Sequence, residues 1–341
     1  MTTIQDAIAA ATALREVPSE VMEGAMETVF RGEATAAQIG AFLVALRMKG
    51  ETASELAAGA RVMRRHCVAV PLAGKSVVLD TCGTGGDGSD TFNISTAAAL
   101  VAAACGVSVA KHGNRSASSK SGSADVLEAL GVNIELGPAA IARCVDECGI
   151  GFMFARAHHP AMRHVGPARS EIAVRTLFNV LGPLSNPASA SHQVLGVPDP
   201  RMCETLARVL LQLGTQRAWV VCGEGNLDEV SLAGPTRVLE LDAGVISERT
   251  VTPGDFGLEA QPMNGALKVK NAAESAGMIL AVLGGERGAA RDVVLINAAA
   301  GLFVAGGASS LAEATARAAE AIDSGAALRT LTSWAALSKA V

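Results

Sequence analysis

The sequence predicts an α/β protein in two parts: a small all-helical N-terminal domain, and a large α/β domain with a central, mostly parallel sheet. Three observations carry this. Helical periodicity runs through residues 1 to about 67, broken only at glycine stops. From Pro71 onward, short β-branched runs alternate with polar, glycine-rich turns and alanine-rich helical stretches, the pattern of strand–loop–helix units. Hydrophobic residues make up 50% of the 341-residue chain, enough to fill a large core and to argue against disorder.

Taken in order, "MTTIQDAIAAATALREV" reads as an amphipathic helix, without the basic start and continuous apolar centre of a secretory signal. "PSEVMEGAMETVFRG" opens with a proline and a serine cap and closes at a glycine. In "TAAQIGAFLVALRMKG", Ile39, Phe42, Leu43 and Leu46 share one face before Gly50 stops the helix. "TASELAAGARVMRRH" places Thr52 three residues before Glu55, the spacing of a capping box. Beyond Pro71, "SVVLD" is a strand, "NISTAAALVAAACG" a helix, "VSVA" a second strand and "ADVLEALG" a second helix. The alternation continues through "GFMFA", "RAWVVCG" and "DVVLINAAAGLFVAGG". Residues 158–187, rich in proline and arginine, read as a partly helical connection between domains.

Several function classes are disfavoured. A net charge of −5 and only 3% aromatic residues, with no tyrosine, argue against a nucleic-acid binder or an anionic-membrane binder. The longest apolar run, "AAALVAAACGVSVA", is too short and too glycine-broken to span a bilayer. Seven cysteines, odd in number, scattered and without a CxxC pair, predict reduced thiols in a cytoplasmic protein.

Three polar stretches interrupt this apolar chain. "DTCGTGGDGSDTFNIST", residues 80–96, combines glycines that let several N–H groups converge on one anion with a helix start that favours negative charge. It lacks the GKS or GKT of a P-loop, and a tight turn is its plain alternative. "KHGNRSASSKSGSAD", residues 111–125, adds Lys111, His112, Arg115 and Lys120 just beyond the next strand. In a parallel sheet both loops leave on one edge, so amides from one and cations from the other can hold a phosphate ester; a solvated basic loop is the alternative. In "GEGNLDEVS", Asp228 and Glu229 are solvated loop charges, an acid–base pair, or oxygen ligands for Mg2+ beside a bound polyphosphate.

Together these stretches resemble the anthranilate phosphoribosyltransferase family of tryptophan biosynthesis. The matching residues are "GTGGDG", "NIST", "KHGNR" followed by "SSKSGSADVLEALG", "HHPAM", "RTLFNVLGPLSNP" and "LDEVS", in the family's order and across nearly the whole chain. The resemblance implies a helical domain over residues 1–70, completed by residues 166–186, and an α/β domain over 71–165 and 187–341. It implies an active site at the hinge, a homodimer through the helical domain, and transfer of a phosphoribosyl group from 5-phosphoribosyl 1-diphosphate (PRPP) to the anthranilate amine. Position by position, Gly83, Gly86, Asp87 and Thr91 are implied to bind PRPP, with Asn93, Ile94, Ser95 and Thr96 continuing that cradle. The second loop is implied to contact PRPP through Lys111, His112, Gly113, Asn114, Arg115 and Ser116. Ala117, Ser118, Ser119 and Ser123 extend that contact. Ser95, Asp228 and Glu229 are the implied Mg2+ ligands, while Asn114 and Arg169 meet anthranilate. Lys111 and Arg169 are the implied catalytic residues.

Four positions depart from the family pattern: Ala173 stands where glycine is usual, Arg156 where proline is common, Ala157 beside it, and Ser116 at a usual alanine. A pyrimidine nucleoside phosphorylase shares the architecture, and a non-catalytic nucleic-acid-binding relative shares the scaffold. "KHGN" and "HHPAM" with Arg169 favour the transferase over the first, and the acidic balance disfavours the second.

Overall fold

A computed structural model of the chain describes residues 3–116, 120–263 and 265–341. Its single sheet has seven strands. β1 (Leu79–Gly83), β2 (Val109–Gly113), β3 (Ile150–Phe154), β4 (His192–Gly196) and β5 (Arg217–Gly223) are parallel. β6 (Thr236–Asp242) and β7 (Val245–Val251) add an antiparallel hairpin at one edge. The spatial order is β3-β2-β1-β4-β5-β6-β7. The chain therefore builds outward from β1 to β3, then returns to the other side of β1 with β4. In open parallel sheets, that reversal opens a crevice at the carboxyl ends of the two central strands, where ligands bind.

The strands alternate between two cores, as their side-chain period of two requires. Trp219 and Val221 point into the larger core, against the helices Ile94–Ala104 and Ala289–Val304. Ala218, Val220 and Cys222 point the other way, into a core shared with the helix Pro200–Gln212 and the N-terminal helices. "DVVLINAAAGLFVAGG" proves to be mainly one helix, Ala289–Val304, rather than a strand–helix alternation. Its apolar run reflects burial between the sheet and outer helices, an environment that hides helical periodicity. Strand β4 and the hairpin β6–β7 carried no signal that the sequence reading used.

The N-terminal helices are Ile4–Thr12, Ser19–Phe30, Ala36–Lys49 and Ala53–Arg65. Thr3, Thr35 and Thr52 each form a capping box, the last with Glu55 as the spacing predicts. Ser19 is not a cap: Pro18 occupies that position and makes no side-chain cap bond. The chain comes back to these helices after β3. Ala168 of the helix Gly166–Ile172, with Phe178 and Leu181 of the helix Phe178–Leu181, enters the N-terminal core. Residues 158–187 are thus more than a connection; part of the segment packs as core. No helix among the described residues is long and apolar enough to cross a membrane.

Glu55 fastens the helical part. It is fully buried, accepts from the Val17 amide at 2.7 Å and the Thr52 amide at 2.8 Å, and pairs with the Lys49 ammonium at 2.8 Å. Replacing it by alanine leaves two amides without their acceptor and takes the carboxylate from a nearly buried cation, which keeps the Gly50 carbonyl. Glu55→Ala is expected to cost about 3–5 kcal/mol in urea unfolding, and a loss below about 1 kcal/mol would show that water substitutes for the carboxylate.

Candidate active site

The reversal between β1 and β4 sets the site. Gly83 and Gly196 end these strands and face each other in register. Asp228 lies across both ends: a β-carbon on Gly83 would run into its carboxylate, and one on Gly196 into its backbone carbonyl. The glycine-rich loop leaves Gly83 and is held at once, since the Gly85 amide donates to Asp228 Oδ2 over 3.0 Å. Gly86 has φ +89°, in the left-handed region where a side chain is strained, and this lets the loop turn toward the helix start. At that start Asn93 is the N-cap residue but makes no side-chain cap bond; its carboxamide oxygen accepts from the Thr96 hydroxyl instead.

A cavity of about 360 Å3 opens here. The described candidate residues from all three polar stretches line it, with Arg169; the exceptions are Thr96 and the exposed Lys120. Thr96 is 1% exposed and sits inside the helix, so its hydroxyl supports Asn93 rather than facing a ligand. Ala117, Ser118 and Ser119 lie outside the described residues. Burial and the neighbouring Asp87 push the Asp228 carboxyl up to about 7. Burial and Asp228 push Glu229 up to about 8. Asp87, Asp228 and Glu229 crowd one wall, and the nearby charges of Lys111 and Arg175 oppose only part of their mutual repulsion.

Lys111 is only 2% exposed. Its ammonium donates to the Thr81 carbonyl oxygen and, over 3.2 Å, to the Ser95 hydroxyl. Burial lowers its pKa, and the charge of Asp80 opposes that shift. Asp80, behind the cavity wall, supports these residues and was not singled out from the sequence. It has no solvent exposure; burial raises its pKa and Lys111 opposes the rise. Its Oδ1 accepts from the His112 amide at 3.1 Å, and its Oδ2 from the Asn186 amide group at 2.8 Å. Asn186 donates in turn to the Ala110 carbonyl at 2.8 Å, so one carboxylate joins β1, β2 and the segment ahead of β4. An acidic residue within an apolar strand was the available signal. His112 is buried and held well below the usual imidazole range by desolvation; its Nδ1 is 3.0 Å from the Gly182 carbonyl oxygen.

The second loop is pinned by a residue outside the candidate set. Asp125 Oδ2 accepts from the Ser116 and Gly122 amides, each at 3.1 Å. Arg115, predicted to contact substrate, directs Nη1 to Asp125 at 2.9 Å and to Glu128 at 2.5 Å, and so spends its charge on the protein. Arg169 stands on the facing helix with its guanidinium 5.7 Å from the centre of the Phe178 ring and no carboxylate partner among the described residues. Ala173 ends that helix at φ +50°, ψ +28°, the left-handed cap that explains why glycine suits the position. Arg156 and Ala157 are exposed and do not line the cavity, whereas neighbouring Ala155 does.

Comparison with known proteins gives one consistent answer. The α/β domain of a glycosyl transferase family matches residues 75–328, and the helical bundle domain of the same family matches residues 5–67. The anthranilate phosphoribosyltransferase of Thioalkalivibrio sulfidiphilus is 54% identical over 328 residues, 96% of each chain. The crystal structure of anthranilate phosphoribosyltransferase from Thermus thermophilus superimposes with a TM-score of 0.92 at 44% identity, covering 98% of this chain and 99% of that one. The Saccharomyces cerevisiae enzyme in complex with PRPP and Mg gives 0.89 at 28% identity, covering 99% and 97%.

The strained cap under Arg169 is open to direct test. Ala173→Gly is expected to stabilise the protein by up to about 1 kcal/mol in urea unfolding, because the left-handed conformation is unfavourable for alanine. A destabilised variant would mean that the unfolded chain's gain in freedom outweighs the relief.

Proposed function

The chain belongs to the anthranilate phosphoribosyltransferase family, and on that premise we propose how its residues divide the work of moving the phosphoribosyl group of PRPP to the amine of anthranilate. The bond from ribose C1 to the diphosphate oxygen breaks, the nitrogen bonds to C1 and loses a proton, and pyrophosphate leaves. Negative charge grows on the departing group while C1 becomes cation-like. Stabilising that charge is the larger task; the neutral aromatic amine needs orientation more than a strong base.

One juxtaposition carries this reading: the glycine-rich loop, Lys111 and the Asp228–Glu229 doublet share a cavity with Arg169 on the facing helix. The loop amides and Lys111 serve the donor's phosphates. Arg169 presents a planar fork suited to the anthranilate carboxylate, and with no carboxylate partner among the described residues that fork is available. Asn114 lines the same cavity and meets the acceptor beside it.

The carboxylates fit Mg2+. Among the described residues no cluster of three or more His, Cys, Asp or Glu side chains forms a ready-made metal cage. Mg2+ does not need one, since it takes one or two carboxylates and completes its shell with water and substrate phosphates. Asp228, Glu229 and the Ser95 hydroxyl would hold it, and bound there it supplies positive charge to the diphosphate. The crowding that raises both carboxyls supports this assignment.

Assembly and location extend the same reading. A homodimer through the helical part is supported by Leu14 and Met48, apolar side chains 71% and 78% exposed on that surface. Seven unpaired cysteines suit a reducing cytoplasm. The two bodies that close on the substrates are residues 1–70 with 166–186, and residues 71–165 with 187–341.

Loss of anthranilate fluorescence on adding PRPP and Mg2+ to the purified protein tests the reaction; a signal that persists would refute it. Lys111→Ala is expected to lower kcat by roughly 100- to 1,000-fold, the scale of losing one pre-organised charge stabiliser. Arg169→Ala is expected to raise the anthranilate KM by roughly 10- to 100-fold while sparing the PRPP KM. Unchanged anthranilate kinetics would remove Arg169 from the acceptor site.

A further inference from the structure

Arg175 has no role in the sequence reading, yet its guanidinium enters the cavity from the returning segment. Its Nη2 donates to the Thr84 carbonyl oxygen over 3.0 Å. Its Nη1 lies where a β-carbon on Gly86 would sit, so the loop admits the guanidinium because residue 86 has no side chain. Other cations beside the loops are engaged: Lys111 with Thr81 and Ser95, Arg115 with Asp125 and Glu128. Arg175 has no salt bridge to a carboxylate among the described residues, and its one described hydrogen bond goes to a neutral carbonyl.

Its position also says which end of a ligand it would meet. Thr84 and Gly86 flank Gly85, whose amide is bound to Asp228. Arg175 and the doublet therefore grip the same turn of the glycine-rich loop. The second loop, with Asn114 and Ser123, lines the same cavity. A group that draws a divalent cation to Asp228 must place its phosphate oxygens beside this turn. A planar fork with free donors is matched to a pair of such oxygens better than to a single carbonyl.

We propose that Arg175 is a further substrate-binding residue, which takes the diphosphate end of the donor in its fork and so ties the segment carrying Arg169 to an occupied donor loop. The inference rests on the donor reading above. It assigns the returning segment two tasks six residues apart: Arg169 holds the acceptor, and Arg175 holds the leaving group. Attachment of both to one short segment brings the two reacting partners under a single closure.

Calorimetric titration separates this role from a merely structural one. The probes are inorganic pyrophosphate with Mg2+, and ribose 5-phosphate as a ligand without a diphosphate, against the full chain and its Arg175→Gln and Arg175→Lys variants. Arg175→Gln is expected to weaken pyrophosphate binding roughly 10- to 100-fold, the scale of a charge-assisted pair, and to leave ribose 5-phosphate within about twofold. Arg175→Lys, which keeps the charge without the fork, is expected to fall between. Equal weakening of both ligands would reduce Arg175 to a prop for the loop, and unchanged pyrophosphate affinity would remove it from the site; either result overturns the inference alone. Failure of the unsubstituted protein to bind magnesium pyrophosphate would overturn the donor reading as well.

Discussion

Asp228 lying across the ends of β1 and β4 is the constraint on which the site depends. Two parallel strands that part at a topological reversal leave a crevice, and here a carboxylate-bearing loop closes over it. That approach is so tight that neither Gly83 nor Gly196 can carry a β-carbon without moving Asp228. The glycines are therefore set by the doublet as much as by the turn. The opposite side of the doublet is fixed as firmly. Asn297, buried on the helix Ala289–Val304, accepts from the Val230 amide at 2.8 Å and donates back to the Val230 carbonyl at 3.0 Å. Glu229 thus sits between Asp228, whose carboxylate holds the Gly85 amide, and the backbone anchor at Val230, although burial and like charge both oppose such crowding.

A second buried charge solves a different problem. Lys111 must present its ammonium at the cavity wall from a position almost without solvent, and an isolated cation there would be costly. Asp80 offsets it from the adjacent strand, while His112 and Asn186 satisfy the carboxylate oxygens. The same network reaches the returning segment through Asn186, and the Gly182 carbonyl adds a contact to His112. Away from the cavity, the returning segment is held by apolar contacts of Ala168, Leu177 and Leu181. Toward the cavity its ties are directional and polar. Apolar packing tolerates small slides, whereas hydrogen bonds specify position; the segment's precision is concentrated where the ligands are expected.

The division between legible and hidden features follows from where side chains point. The third N-terminal helix was legible from its apolar positions and its stop; Gly50, at φ +85°, ends it as expected, whereas the first closes at Thr12 without a glycine. β1, β2 and β5 were legible from β-branched runs, but β1 and β2 lie later in the chain than those runs, reaching through Thr81–Gly83 and Lys111–Gly113. Their last residues are polar because they serve the cavity, and polarity there reads as loop. The hairpin β6–β7 mixes charged residues into both strands, among them Arg237, Glu240, Glu248 and Arg249, which pair across its surface. An edge hairpin that turns charges to water lacks the apolar continuity that marked the central strands. At the site, motif residues were legible by type, whereas Asp80, Asp125 and Asn297 act by reaching backbone amides far away in sequence or across a loop. No local spacing announces such contacts.

Arg115 and Arg169 are both arginines near one cleft, and type alone assigns both to ligands. Arg115 already has two carboxylates at its guanidinium, so to release it for a phosphate would leave Asp125 and Glu128 to face each other and the incoming anion. Asp125 also holds the Ser116 and Gly122 amides, and the loop's shape depends on that carboxylate staying where it is. Arg169 has an aromatic ring beside it, a contact that an anion at the far edge of the guanidinium would not disturb. The physical distinction is the state of the fork before the ligand arrives: one arginine builds the loop, and the other is left with donors to give.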